Sequence, residues 1–176
     1  MTQIYNDFYK KYYSLRNEVD ELSEKLFKLH ESNVACKKGC DLCCMDYKVF
    51  PIEFFAIKKE LEKEGLEIKD ETKNPEDCIF LKDHACSIYK YRPFICRTHG
   101  LPLVFVNEED EWELSNCELN FKDFDFEKFT LDNTFEQDKM NSQLFQLNKK
   151  FIESYKEEKF VATDLISVRQ LQQDLE

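Results

Sequence analysis

Cys36-Lys37-Lys38-Gly39-Cys40-Asp41-Leu42-Cys43-Cys44 is the stretch on which the reading of this chain turns. Four thiols fall within nine residues, and the remaining four follow at Cys78, Cys86, Cys96 and Cys117. Clustered thiols cross-link, bind metal or pack as small hydrophobes. Two Cys separated by two to four residues suit metal, because one turn can aim both sulfurs at an ion about 2.3 Å away in the case of zinc. Cys36-x3-Cys40 and Cys40-x2-Cys43 both have such spacing, and Gly39 allows the positive φ that a tight ligand-bearing turn requires. Cys43 and Cys44 are adjacent, so their side chains diverge. Either one binds while the other packs, or the two serve different metals. Eight thiolates at four per closed tetrahedral site make two sites; the same eight could instead hold one iron–sulfur cluster and leave four thiols over.

Glycine and proline show where the irregular structure lies. All three Gly and all four Pro fall between residues 39 and 102, so both flanks are expected to be helical. Ile4, Phe8, Tyr12, Leu15, Val19, Leu22, Leu26 and Leu29 recur at spacings of three and four. A coiled-coil seam would look similar, but a long helix packed on its own domain is the simpler reading. His30 then reads as a solvated last-turn residue that favours the helix dipole. Pro51 opens a shorter amphipathic helix with Phe54, Ile57 and Leu61 on one face, Glu53 in the first turn and Gly65 as C-cap. Ile79-Phe80-Leu81 reads as a short buried strand. Leu103–Val106 and Trp112–Leu114, joined by an acidic turn, read as a β-hairpin. Thr134-Phe135-Glu136-Gln137 has the pattern of a capping box, followed by the stripe Met140, Leu144, Leu147, Phe151 and Tyr155. Ser167-Val168-Arg169-Gln170 repeats it before a short final helix. Phe121, Phe124, Phe126 and Phe129 form an aromatic group suited to a core or a docking surface.

The expected architecture is mostly helical α+β within one domain, 1–176. An N-terminal helix (1–35) and a C-terminal helical region (121–176) enclose a cysteine-cluster core (36–120) with a small hairpin.

Composition narrows the function. The formal net charge of −11 argues against nucleic acid, which calls for a basic patch or stripe. No apolar run is long enough to span a bilayer. Met1–Asp7 shows no basic-then-apolar leader pattern, so a cytoplasmic protein is expected. In that reducing compartment metal is favoured over disulfides. Walker and dinucleotide loops are excluded by the scarcity of glycine. Arg92 and Arg97 flank Cys96 and could offset thiolate charge. His84 and His99 lie near Cys86 and Cys96; His99 is the stronger candidate for a neighbour or ligand.

The knot at 36–44, Cys78-Ile79-Phe80-Leu81, and Cys86-Ser87-Ile88-Tyr89 followed by Tyr91-Arg92-Pro93 and Cys96-Arg97 resemble the CxxCxxCC-type zinc- or iron-chelating domain family, the YkgJ-like cysteine-cluster proteins. The likeness runs over roughly residues 36–120, with Cys117 completing the eight. One departure is that three residues, not two, separate Cys36 from Cys40. The resemblance implies zinc or iron as cofactor, mononuclear or as an iron–sulfur cluster, at one or two sites. The metal ion would be the first partner, and the terminal helices offer a face for a protein partner. Some larger relatives look like flagellin lysine N-methylases, but no glycine-rich S-adenosylmethionine loop is present to carry methyl transfer here. Metal-chelating module and iron-dependent redox or transferase enzyme therefore both stand as readings.

Overall fold

A computed structural model describes residues 3–69, 72 and 74–172. The elements run α1 (Gln3–Leu29), β1 (Lys48–Val49), α2 (Pro51–Glu64), β2 (Leu81–Lys82), β3 (Ala85–Cys86), α3 (Phe94–Thr98), β4 (Leu103–Val106), β5 (Trp112–Ser115), β6 (Phe135–Glu136), α4 (Gln137–Ser154) and β7 (Ile166–Ser167). The fold is α+β and mostly helical, with the long first helix that the apolar stripe predicts.

One hydrophobic core lies among α1, α4 and the inner face of α2. Tyr5, Tyr9, Tyr12, Leu15, Val19 and Leu26 meet Ile52, Ala56, Leu144 and Phe151 there. A second core collects Val49, Phe54, Ile57, Leu61, Phe80, Ile88, Tyr91, Val168 and Leu171. Because α2 lies between the two, it is buried on both sides and not along Phe54, Ile57 and Leu61 alone. Gly65 caps it in the left-handed conformation (φ 63°), its N–H returning to the carbonyls of Leu61 and Glu62.

Polar side chains fasten α1 at successive turns. Tyr12 donates to Glu53 Oε1 (2.9 Å), and the Phe94 N–H donates to the same oxygen (2.8 Å). Arg16 forms a fork with Glu60 at 2.5 and 2.8 Å. Asp20 receives Arg97 at 2.6 and 2.5 Å. Positions 12, 16 and 20 share one helix face, so a polar seam runs beside the apolar one and locks α2 and α3 onto α1. Glu53 stands in the first turn of α2 as expected, and is in addition a buried acceptor joining three elements.

The strands are short and local. β2 and β3 form a hairpin with Leu81 opposite Cys86. β4 and β5 form the expected hairpin, pairing antiparallel with Val106 opposite Trp112, and β6 joins β4 in parallel through Leu103 and Phe135. That pairing takes Phe135 and Glu136 out of the expected capping box. Thr134 donates to the Thr130 carbonyl, and α4 starts without a side-chain cap. Ser167 does cap its turn, accepting from the Arg169 N–H, while β7 pairs with β1. Ile79 and Phe80 are buried as expected but lie in a turn before β2.

His30 departs furthest from expectation. It is 3% exposed, donates Nε2–H to the Asn133 carbonyl (2.7 Å), and is ringed by Phe121, Phe124 and Phe129 at 5.0–6.0 Å. Leu29 faces solvent instead. The Phe121–Phe129 group is therefore the wall of an imidazole cage at the end of α1, with only Phe126 mostly outside.

Candidate metal centre

The chain leaves α1 through a stretch with an unusual property: from Glu31 to Lys48 no residue is buried. It is nonetheless shaped into defined turns. The Cys40 N–H donates to the Lys37 carbonyl, with Gly39 at φ 94° between them, and the Cys44 N–H donates to the Asp41 carbonyl. The other cysteines come from scattered elements. Cys78 opens the turn closed by the Leu81 N–H, Cys86 lies in β3, Cys96 in α3, and Cys117 in the turn after β5. All eight thiols are free.

The thiols sense one another. Partial burial pushes the Cys36 thiol up, and the charges of Cys117, Cys40 and Cys43 add to that. Burial likewise pushes Cys96 well up, reinforced by Cys78, Cys86, Glu53 and Cys43. Cys44 has Cys43, Cys78 and Cys86 as neighbours. Cys43 is a neighbour of both Cys36 and Cys96. Its side chain and that of Cys44, expected to diverge, lie within reach of each other, and their interaction lowers Cys43 and raises Cys44.

The sulfurs are supplied with N–H donors, as thiolate ligands require. Burial raises Cys78, while the Phe80 and Leu81 N–H groups oppose it. Burial raises Cys86, opposed by the Ile88 N–H and by Arg92. The donor set fits a soft or borderline cation in its chemistry: thiol sulfur, with backbone amides to spread the charge. Among the described residues no three His, Cys, Asp or Glu side chains converge as a finished ligand set.

The residues nominated from sequence occupy distinct places. Arg92 stacks over the Tyr89 ring (3.8 Å) and donates to the Tyr89 and Cys96 carbonyls, with its charge felt at Cys86. Arg97 is 3% exposed and binds Asp20 and the carbonyls of Lys90 and Arg92, holding the backbone that leads into α3 and Cys96. His99 lies with its ring 5.3 Å from that of Tyr47, whose hydroxyl donates to the Cys43 carbonyl. Burial lowers the His99 pKa, and its Nε2 is buried with no hydrogen-bond partner among the described residues.

Three further residues support the loop; Arg169 and Asn120 escape the sequence reading, while His84 was noted there only as a neighbour of Cys86. Arg169 donates to the carbonyls of Pro75 and Asp77 and lies 4.0 Å from Asp46, beside Cys78. His84 Nδ1 meets Asp41 Oδ2 at 2.7 Å, tying the β2–β3 turn to the knot. Asn120 touches Cys36. Of the two that escape, only Asn120 carried a signal: Cys117-x2-Asn120 repeats the spacing of Cys40-x2-Cys43.

Residues 35–118 match the family model CxxCxxCC, described as "Putative zinc- or iron-chelating domain", and all eight cysteines lie inside those bounds. No curated protein and no solved structure matches the chain. Among the described residues no helix is long and apolar enough to cross a membrane.

Proposed function

We propose that the segment 35–118 chelates zinc or iron through eight thiolates in two groups, Cys36, Cys40, Cys43 and Cys117, and Cys44, Cys78, Cys86 and Cys96, and that the metal holds the cysteine loop in place. The observation that carries this reading is the unburied stretch from Glu31 to Lys48. A loop without buried side chains cannot fix itself by hydrophobic packing, whereas metal–thiolate bonds supply folding free energy directly. The bound ion would neutralise clustered thiolates and cross-link α3, the β2–β3 hairpin and the loop after β5. Arg92 and Arg169 would temper the charge of the second group, and Arg97 would set the backbone of Cys96.

Anaerobic purification of the full chain from metal-replete cells, followed by elemental analysis and thiol titration, tests this. Stoichiometric zinc or iron is expected, with thiols that titrate only after chelation. Metal-free protein whose eight thiols react at once, with its fold unchanged, refutes it.

His99 favours a second reading. An imidazole nitrogen buried without a partner among the described residues, beside Tyr47, is a spare donor close to the second group. Iron with mixed sulfur and nitrogen ligation would use it, and iron supports redox or transfer chemistry that a closed zinc site does not. A coloured preparation whose absorption changes in His99→Ala supports this reading. Iron-free, colourless protein from iron-replete anaerobic cells ends it.

A further inference from the structure

We infer that Asn120 and Gly100 form the seat that fixes Cys36 as a metal-binding thiolate, with the Asn120 amide as the positioning donor to its sulfur; this rests on the chelating role proposed above. Asn120 is 2% exposed. Its Oδ1 accepts from the Ala35 N–H (2.8 Å), and its Nδ2 donates to the Gly100 carbonyl (2.6 Å) and to Cys36 Sγ (3.4 Å). The first two partners have opposite sense, so they decide which end of the amide is which. The end facing sulfur is the N–H end. Its own backbone N–H donates to the Cys117 carbonyl (2.9 Å). One buried residue therefore joins the first and last cysteines of the chain, both assigned to the same group.

Gly100 supplies the space. A Cβ built there would stand 2.6 Å from Cys36 Sγ and 3.1 Å from Asn120 Nδ2, and its φ of 91° disfavours any side chain. A sulfur that only needed packing would not require a glycine notch and an amide donor together. An N–H aimed at sulfur favours the anionic form over the thiol, because hydrogen bonds to charged acceptors are the stronger ones. The second group has Arg92 and Arg169 for this purpose. The first group has Asn120.

Cobalt(II) titration of the full chain, read by its sulfur-to-metal charge-transfer band against a competing chelator, tests the assignment. Wild type is expected to take up two equivalents. Asn120→Leu, which cannot ligate, is expected to weaken one equivalent by about ten- to a hundredfold and leave the other unchanged, the scale of lost supporting contacts at metal sites. The charge-transfer band of the weakened site should move to longer wavelength, since a thiolate without its N–H donor gives up charge more easily. Gly100→Ala should weaken the same equivalent. Unchanged affinities and band in Asn120→Leu, or equal weakening of both equivalents, overturn the assignment. Wild-type protein that takes up no cobalt refutes chelation itself. Should the variants fail to fold, wild-type protein loaded with cadmium-113 decides: a scalar coupling between the Asn120 side-chain amide proton and cadmium is expected, and its absence overturns the assignment.

Discussion

Stripping the metal should release one segment of the chain and leave the helical frame standing. Ordering the eighteen residues from Glu31 to Lys48 costs roughly 18 kcal/mol even at the low end of about 1 kcal/mol per residue. Nothing in the stretch is buried, so hydrophobic transfer returns little. Its hydrogen bonds include Ala35 N–H to Asn120, Cys40 N–H to Lys37, Cys44 N–H to Asp41, Asp46 N–H to Glu76, Tyr47 hydroxyl to Cys43 and His84 to Asp41. At about 1 kcal/mol each, these bonds and those made through Asn33, Asp46, Tyr47 and Lys48 still fall short of that cost. A structural thiolate zinc site, at ~10–16 kcal/mol, is large enough to cover the difference. Hydrogen exchange read by mass spectrometry, before and after chelation under reducing conditions, measures it. Peptides spanning 31–48 are expected to lose all protection in the chelated protein, whereas those from α1 and α4 keep theirs, since the core around Phe151 contains no thiol. Retained protection at the Cys40 and Cys44 amides in metal-free, fully reduced protein would show that the loop fixes itself, and would refute the reasoning.

Glu53→Gln should be neutral or stabilising near pH 7, because the amide oxygen can accept from Tyr12 and Phe94 without a buried charge. Burial raises the Glu53 pKa, so this carboxyl's contribution is fully present below the ordinary value of 4.5 and is lost as pH rises through its folded pKa. The melting temperature of the Gln variant minus that of wild type should therefore grow from pH 4 to pH 7; a constant difference counts against it. Phe151→Ala empties a fully buried ring that meets Tyr5, Phe8, Tyr9, Phe55 and Tyr155, and should cost about 3–5 kcal/mol in urea denaturation while metal content stays unchanged. Cys40→Ser should lower the melting temperature far more than Phe124→Ala, and equal shifts would contradict the assignment of Cys40 as a ligand. His84→Gly exchanges a left-handed residue (φ 61°) for one that prefers that conformation and loses only an exposed pair with Asp41, so its stability should stay within about 1 kcal/mol of wild type by thermal melting.

What the sequence showed and what it concealed follow from the range of the forces involved. The extent of α1, the start of α2 at Pro51 with its stop at Gly65, and the 103–106 and 112–115 pairing all rest on local terms: periodicity, φ restriction and a short acidic turn. Failures came where a distant partner outweighed a local preference. Thr134 to Gln137 has the composition of a cap, but Leu103 recruited Phe135 into a parallel pair, and no local pattern records a strand some thirty residues away. The expected stripe on α1 is one position off at both ends: Tyr5 and Tyr9 are buried while Ile4 faces solvent, and His30 is buried in place of Leu29. Three phenylalanines and a carbonyl acceptor at Asn133 make the inside the better place for His30, and the helix presents Leu29 to water in exchange.

The same reasoning explains why the cysteines were legible and their supports were not. Thiols are rare enough that spacing alone marks them. Arg97 and Glu53 looked like a cluster neighbour and a dipole partner because sequence shows only what lies adjacent. Asp20, 77 residues before Arg97, takes the guanidinium, and Tyr12, 41 residues before Glu53, donates to the carboxylate. Both pairs end on α1, which packs against α2, α3, α4 and β6. α1 is thus the beam from which α2 and α3 hang, and α3 in turn holds Cys96. A variant that cuts the beam from α3, such as Asp20→Asn, should loosen the second cysteine group without touching a sulfur. Its fork to Arg97 becomes a single neutral acceptor, and faster release of one metal equivalent to a chelator, with the other unaffected, is the expected result. Equal release rates would mean that α3 is held by the sulfurs alone.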